Sequence, residues 1–352
     1  KSMEYCMEQL MKLCSIHSPS GMTEEAADYL MEELSRLGYA PEKTRKGGVV
    51  VCLGGCEKEE KNGLFMMAHI DTLGAVVSSI KENGRLELSP VGGLQANNCE
   101  AENCVIRTRF DGEYTGTLQL ANASVHVNGE YGETRRNFSN VEVVIDEPVS
   151  SKEEIRALGI EAGDFVCFDP RTVITKSGYI KGRFLDDKLS AAILLAYARE
   201  LREKGLTPKR KVYLHFTVYE EVGHGASASV PEDVSEVLSV DMGCVGDGLS
   251  CTEREVSICA KDSVGPYDYG VTTALVKAAK ETGKIVTVEE HSIIGGLGGA
   301  VCEVLAEQAP VPVKRLGIRD EFGESGVAEE LLHKHGLDGE GIYKAVKAWL
   351  GK

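Results

Sequence analysis

The 352-residue sequence contains no apolar run approaching the ~20 residues that a membrane-spanning helix requires, so no membrane is expected as a partner. Its first residues, KSMEYCMEQLMKLCSIHSPSG, lack the basic start, apolar stretch and small-residue cleavage site of a secretory signal, which makes the cytoplasm the expected compartment. Positive charge is in deficit. Thirty-nine Lys and Arg stand against 55 Asp and Glu, a formal net charge of −16, whereas a nucleic-acid partner would require a basic face. The eleven cysteines include no CxxC pair, since Cys52 and Cys56 are four apart and Cys99 and Cys104 five apart; a zinc ribbon and a thioredoxin-type motif are thereby excluded. Their odd number and irregular spacing read instead as small buried hydrophobes in a reducing compartment. HExxH, GxSxG and Walker motifs are missing. So is a GDG-type pyrophosphate motif leading into an asparagine-containing metal loop, which argues against thiamine-dependent transfer. The GGLGG run at Gly295–Gly299 lacks dinucleotide spacing and reads as packing or turn geometry.

An apolar fraction of 42% with 27% charged residues and 39 glycines describes a globular chain with many tight turns, long enough for two domains. Apolar spacing predicts helices over Met3–Leu13 and Glu24–Leu37, the second capped by Thr23 and ended by Gly38. Strands are expected at Val49–Leu53 and Leu64–Ile70. From about Lys81 to Arg171 short β runs alternate with turns such as Gly92-Gly93, Asp111-Gly112 and Asn128-Gly129, which predicts a small inserted β-barrel or sandwich. Helix and strand then alternate again. Helix Lys188–Lys204, strand Lys211–Tyr219, strand Val237–Val240, helix Val271–Glu281, strand Ile285–Glu289, helix Gly298–Glu307, strand Val313–Ile318 and two closing helices follow in order. The fold class expected is therefore α/β, a mainly parallel sheet covered by helices and interrupted by a small β-barrel domain.

Ligands of open α/β sheets gather outside the carboxyl ends of the strands. LFMMAHID ends in His69 and Asp71, KVYLHFTVYEE in Glu220 and Glu221, and VLSVD in Asp241, while FLDDK sets Asp186 and Asp187 before a helix. One imidazole with several carboxylates suits zinc, manganese or cobalt, and a carboxylate can bridge two ions. In an extended chain Glu220 and Glu221 point apart, so that one can bind metal while the other meets a water as general base. Asp71 is placed to orient the His69 imidazole. Asp187 can also be read as a cap for the helix beginning at Lys188.

The segments MMAHIDTLG, GRFLDDKLSAA, YEEVGHGAS, LSVDMG and AKDSVGPYDYGVTTALVKAAK resemble, in order, the blocks of the metallo-aminopeptidase family that includes glutamyl aminopeptidase and the tetrahedral aminopeptidases. The resemblance spans about residues 3–280. It implies a discontinuous catalytic domain over 1–80 and 172–280 with the β insert at 81–171. It further implies that Asp186 bridges two divalent ions, His69 and Asp241 complete one shell, Glu221 binds the other ion, and Glu220 is the general base. The implied activity is removal of amino-terminal residues from peptides through a metal-activated water, in a self-associating protein. One block is absent. The family closes its second metal site with a histidine in an arginine-tyrosine-x-histidine-serine stretch, and this chain has none. In its place GKIVTVEEHSIIGGLGGAVCEVLAE, VPVKRLGIRDEFGESG and AEELLHKHGLDGEGIYKAVKAWL resemble the final domain of transketolase, so 281–352 is expected to be an α/β segment completing the sheet. Asp320, Glu321 and Glu324 lie near the family histidine in order; His291 follows the strand before, and His333 and His335 fall on a surface helix. A second reading is then a silent metal-binding or assembly protein.

Overall fold

The computed structural model describes residues 2–55, 61–110, 112–227, 229–247, 256–262, 265–282, 285–292, 313–318 and 328–349. The chain divides into two compact units, Lys1–Cys244 and Val245–Lys352.

The first unit begins with α1 (Ser2–Ser15) and α2 (Glu24–Arg36). Their apolar stripes supply Leu10, Leu13, Leu30 and Leu34, all at 0% exposure, to one core. Thr23 stands at the α2 N-cap but makes no side-chain capping bond, so the expected cap is not formed in that way. Gly38 ends the helix at φ +84°, where a side chain would be strained. The strands β1 (Glu42–Lys43), β2 (Val49–Gly54), β3 (Gly63–His69), β12 (Val212–Thr217) and β13 (Val234–Ser239) form one sheet in the order β1-β2-β12-β3-β13. β12 and β13 run parallel to β3, whereas β2 is antiparallel to β12 and β1 to β2. The sheet is therefore mixed and not mainly parallel. Two short connections explain this. A tight turn closes β1 on β2, and only residues 55–62 separate β2 from β3, too few for the crossover of a dozen or more residues that a parallel pair requires. Helix α4 (Leu185–Glu203) packs along α1 and β3, sealing the core with Leu194, Leu195 and Ala198.

Between β3 and α4 lies a closed six-stranded barrel built from β4 (Gly74–Ile80), β5 (Leu86–Val91), β6 (Asn103–Arg107), β7 (Glu113–Leu120), β8 (Val141–Ile145) and β9 (Phe165–Phe168), in the order β4-β5-β8-β7-β6-β9. Every pairing is antiparallel, and β9 closes on β4. Alternate residues such as Leu86, Ile106, Leu118, Val143 and Phe168 fill a core of its own. The short helix α3 (Lys152–Ala157) is capped by the Ser151 hydroxyl, which accepts from the Glu154 amide at 3.3 Å. A hairpin of β10 (Val173–Ile174) and β11 (Ile180–Lys181) leads back towards α4.

In the second unit, α5 (Tyr269–Thr282) is followed by β14 (Ile285–Ser292) and β15 (Val313–Ile318), paired in parallel, then α6 (Ala328–Lys334) and α7 (Gly339–Trp349). The expected helix at Gly298–Glu307, the GGLGG run and Asp320, Glu321 and Glu324 lie outside the described residues. Among the described residues no helix is long and apolar enough to cross a membrane. Eight described cysteines are free; Cys6, Cys14, Cys99, Cys104 and Cys167 are buried as expected, whereas Cys52, Cys244 and Cys259 are exposed.

Candidate active site

β3, β12 and β13 are mutually parallel neighbours, so their carboxyl ends open on one edge of the sheet, and the acidic groups collect there. His69 is the last residue of β3 and is 3% exposed. Its Nδ1 lies 2.8 Å from the Asp71 backbone oxygen, which leaves Nε2 facing outward, 2.8 Å from Asp186 Oδ1 and 3.6 Å from Glu220 Oε2.

Asp71 is fully buried. Its Oδ1 stands 3.5 Å from His69 Nδ1 and accepts the Glu220 amide at 3.2 Å; its Oδ2 accepts the Glu221 amide at 3.3 Å and the Ser20 hydroxyl. Burial alone would raise its pKa, but the bonds from His69 and Ser20 outweigh burial and hold it below the usual carboxylate range. Ser20 belongs to a loop laid alongside residues 70–72. Ser18 Oγ donates to the Ile70 oxygen at 2.7 Å, and the amides of Thr72 and Ser20 bond across it. This long-range tie carries no local sequence signal.

Glu220 and Glu221 sit in a single turn of 3₁₀-helix, Glu220–Val222, not in an extended strand. The expectation that neighbouring side chains point apart fails for that reason, and both carboxyl groups turn towards His69. Tyr219, before them, is left-handed at φ 69°, ψ 19°, and Phe184, two residues before Asp186, at φ 65°, ψ 20°. Such backbone costs about 1–2 kcal/mol for a non-glycine residue, and strain of this kind clusters at functional sites.

Asp186 and Asp187 open α4 with non-helical backbone and are joined by a cis peptide bond. Asp187 is 1% exposed; its Oδ2 accepts the His69 amide at 3.0 Å, a tie across 118 residues that the capping reading did not foresee. Its Oδ1 is buried without a hydrogen-bond partner. Burial and then the neighbouring Asp241 push the Asp187 pKa up to about 8, and burial and then Asp186 push Glu221 up to about 7. Glu220 is raised as well, chiefly by burial. For His69 burial acts downward, but hydrogen bonds to Asp186 and Asp71 override it and push the imidazole up to about 11. One imidazole thus faces six carboxyl groups. Lys188, next in sequence, directs its ammonium to the carbonyls of Leu13 and Ile16 at 3.0 and 2.6 Å.

Among the described residues, two sets of side chains converge closely enough to hold a cation: His69, Asp187 and Asp241 form one, and His69, Asp186 and Glu221 the other, with ligand atoms within 4.8 Å of one another in each. Imidazole with carboxylates is the donor set of zinc, cobalt and manganese, and an unpaired buried carboxylate oxygen is what such an ion would satisfy, so the residues fit. His69, Asp71, Asp186, Glu220, Glu221 and Asp241 all stand at this edge. Asp187 joins them as a candidate that sequence reading set aside; its signal was the doubled aspartate.

Residues 47–318 match the family model of M42 glutamyl aminopeptidase. The chain belongs to this family. YhfE of Bacillus subtilis (strain 168), a protein named for an inferred aminopeptidase activity, is 40% identical over 280 residues, 80% of each chain. The structure of the Pyrococcus horikoshii TET1 peptidase, which can assemble into a tetrahedron or a large octahedral shell, superposes with a TM-score of 0.60 at 21% identity, covering 89% of this chain and 85% of that one. A separate segment is similar to a protein of Methanocaldococcus jannaschii named for the C-terminal section of a transketolase, 53% identical over 116 residues, 33% of this chain and 33% of that protein. The chain thus spans about a third of that transketolase relative, and the hybrid character expected from the motifs is present. M42 peptidases are metal-dependent, and the edge of the sheet described above carries the donor set for that chemistry.

Proposed function

We propose that this M42-family chain is an aminopeptidase that removes amino-terminal residues from peptides with the help of two divalent ions. The observation that carries the reading is the convergence of His69, Asp186, Asp187, Glu221 and Asp241 at one edge of the sheet, with a buried carboxylate oxygen left unpaired. These side chains would hold the ions, zinc, cobalt or manganese. When bound, such ions polarise a peptide carbonyl and lower the pKa of a water. Glu220, whose carboxyl pKa is raised by burial, takes the proton of the attacking water and returns it to the leaving amine. Asp71 fixes both the His69 ring and the turn of Glu220 and Glu221 through the bonds described above. Self-association and a cytoplasmic location belong to the same proposal, as do the discontinuous catalytic domain, 1–80 and 172–280, the insert at 81–171 and the tail from 281.

The absent histidine block favours one alternative, a protein that keeps a metal position but not turnover. Chelation followed by addition of zinc, cobalt or manganese, with a panel of aminoacyl-nitroanilides, separates the two. Turnover that is lost on chelation and restored by metal supports the aminopeptidase. Tight metal binding with no turnover of any substrate supports the alternative.

A further inference from the structure

The turn that carries Asp186 and Asp187 is tied to the barrel by charged groups for which the chemistry above has no use. Glu102, just before β6, is 6% exposed. Its Oε2 accepts Arg183 Nε at 3.1 Å, Arg183 Nη2 at 2.9 Å and Arg171 Nε at 2.8 Å. Arg183 Nη2 also donates to the Asn98 carbonyl, and the Arg183 amide donates to the Pro170 oxygen at 2.7 Å. Gly182, before it, sits so close that a Cβ would stand 2.9 Å from both Cα and Oγ1 of Thr172. Phe184, after it, packs on the barrel core in a left-handed conformation. Three residues beyond Arg183 the chain delivers Asp186 to His69 Nε2 at 2.8 Å. The barrel therefore grips the last ordinary residues before the acidic pair from several sides, and a planar guanidinium on a buried carboxylate gives that grip a fixed direction.

We propose that Glu102 and Arg183 are a positioning pair, through which the barrel sets the place of the Asp186 carboxylate opposite His69. Its consequence for metal rests on the reading of the site given above; its geometric content does not. The test compares Arg183→Met, Arg183→Lys and Glu102→Gln with Leu86→Ala, a barrel-core truncation on β5 with no bond to the arm, chosen to match the loss of thermal stability. Cobalt affinity is measured by calorimetry and the cobalt visible spectrum recorded; hydrogen exchange of residues 182–188 is followed in the metal-free proteins. Arg183→Met and Glu102→Gln should weaken cobalt binding by ~10-fold or more, alter the spectrum and speed exchange of 182–188, with Arg183→Lys intermediate and Leu86→Ala like the wild type. Equal affinity, spectrum and exchange in Arg183→Met and the wild type would overturn the proposal. If no variant and not even the wild type binds cobalt, the metal reading has failed, and the exchange of 182–188 alone then decides for or against the pair. Should Arg183→Met not fold, the Arg183→Lys and Glu102→Gln comparisons decide in the same way.

Discussion

His69 has a single nitrogen to offer. With Nδ1 turned to the Asp71 oxygen, only Nε2 faces the cluster, yet both candidate ligand sets include this residue. An imidazole nitrogen binds one ion, so the other position must rely on carboxylates. Metal must also displace protons. Asp187 at about 8 and Glu221 at about 7 hold protons near neutral pH in the metal-free protein, so affinity should fall as pH drops from 8 to 6, and calorimetry in buffers of different ionisation enthalpy should detect protons released on binding. Glu220 is expected to behave differently from its neighbour. Glu220→Gln should retain bound metal and lose ~10²-fold or more in turnover, whereas Glu221→Gln should lose metal first; equal losses of metal and rate in Glu220→Gln would reassign it as a ligand. Away from the site, His215 on β12 stacks on Phe65 with ring centroids 5.2 Å apart, and its buried Nδ1 has no partner. Burial, and then the charge of Lys46, lower its pKa from 6.5 to about 4. The unfolded chain therefore takes up a proton that the fold refuses, and stability is lost as pH falls from about 6.5 to about 4, by ~3 kcal/mol for this group. In His215→Phe melts across that range should lose this part of their slope; an unchanged slope contradicts the assignment.

At the scale of elements, the edge where the site forms was legible because β3 and β12 are apolar strands and β13 an alternating one, each followed within three residues by an acidic side chain. What was not legible is how each strand turns into its loop. Neither Phe184 nor Tyr219 is a glycine, so nothing local in the sequence announces a left-handed residue, and a turn of 3₁₀-helix at Glu220–Val222 was read as extended chain. The Ser20 tie to Asp71 and the Asp187 tie to the His69 amide join residues 51 and 118 apart, beyond the reach of any periodicity. The inserted barrel was read correctly from its turns, whereas the direction of β2 follows from the short connection over 55–62, which the alternation of helix and strand elsewhere outweighed in the reading. One turn offers an internal control. Gly92, at φ +70°, has no room for a side chain, since a Cβ would lie 2.6 Å from Leu73 Cδ2 and 3.0 Å from the Glu221 oxygen; around Gly93 nothing stands within 4 Å. Gly92→Ala should disturb the backbone of Glu221, lowering kcat/KM by ~10-fold or more, while Gly93→Ala should stay within ~0.5 kcal/mol of the wild type in stability and keep its activity. Matching kinetics for the two variants would show that the barrel loop does not bear on the site.

On the scale of the whole molecule, the chain joins an M42 frame to a transketolase-like segment, and the histidine block that the family resemblance implies is absent from the sequence. The sequence made that loss visible, because a motif can be seen to be missing without knowing the fold. The replacements suggested by order alone, Asp320, Glu321 and Glu324, lie outside the described residues, and His333 on α6 is exposed and engaged with Asp338 at 2.5 Å. Both features point the same way. On the proposed reading, a shared imidazole and a missing histidine would leave one position with nitrogen and carboxylate donors and the other, among the described residues, with carboxylates alone, two metal positions of unequal strength. The measurement that bears most directly on this account is a calorimetric titration of the chelated, full-length protein with cobalt, repeated on His69→Ala. The account predicts one tight and one weak binding event in the wild type, with the tight event lost in the variant. Two equally tight events, or a titration that His69→Ala leaves unchanged, would contradict it.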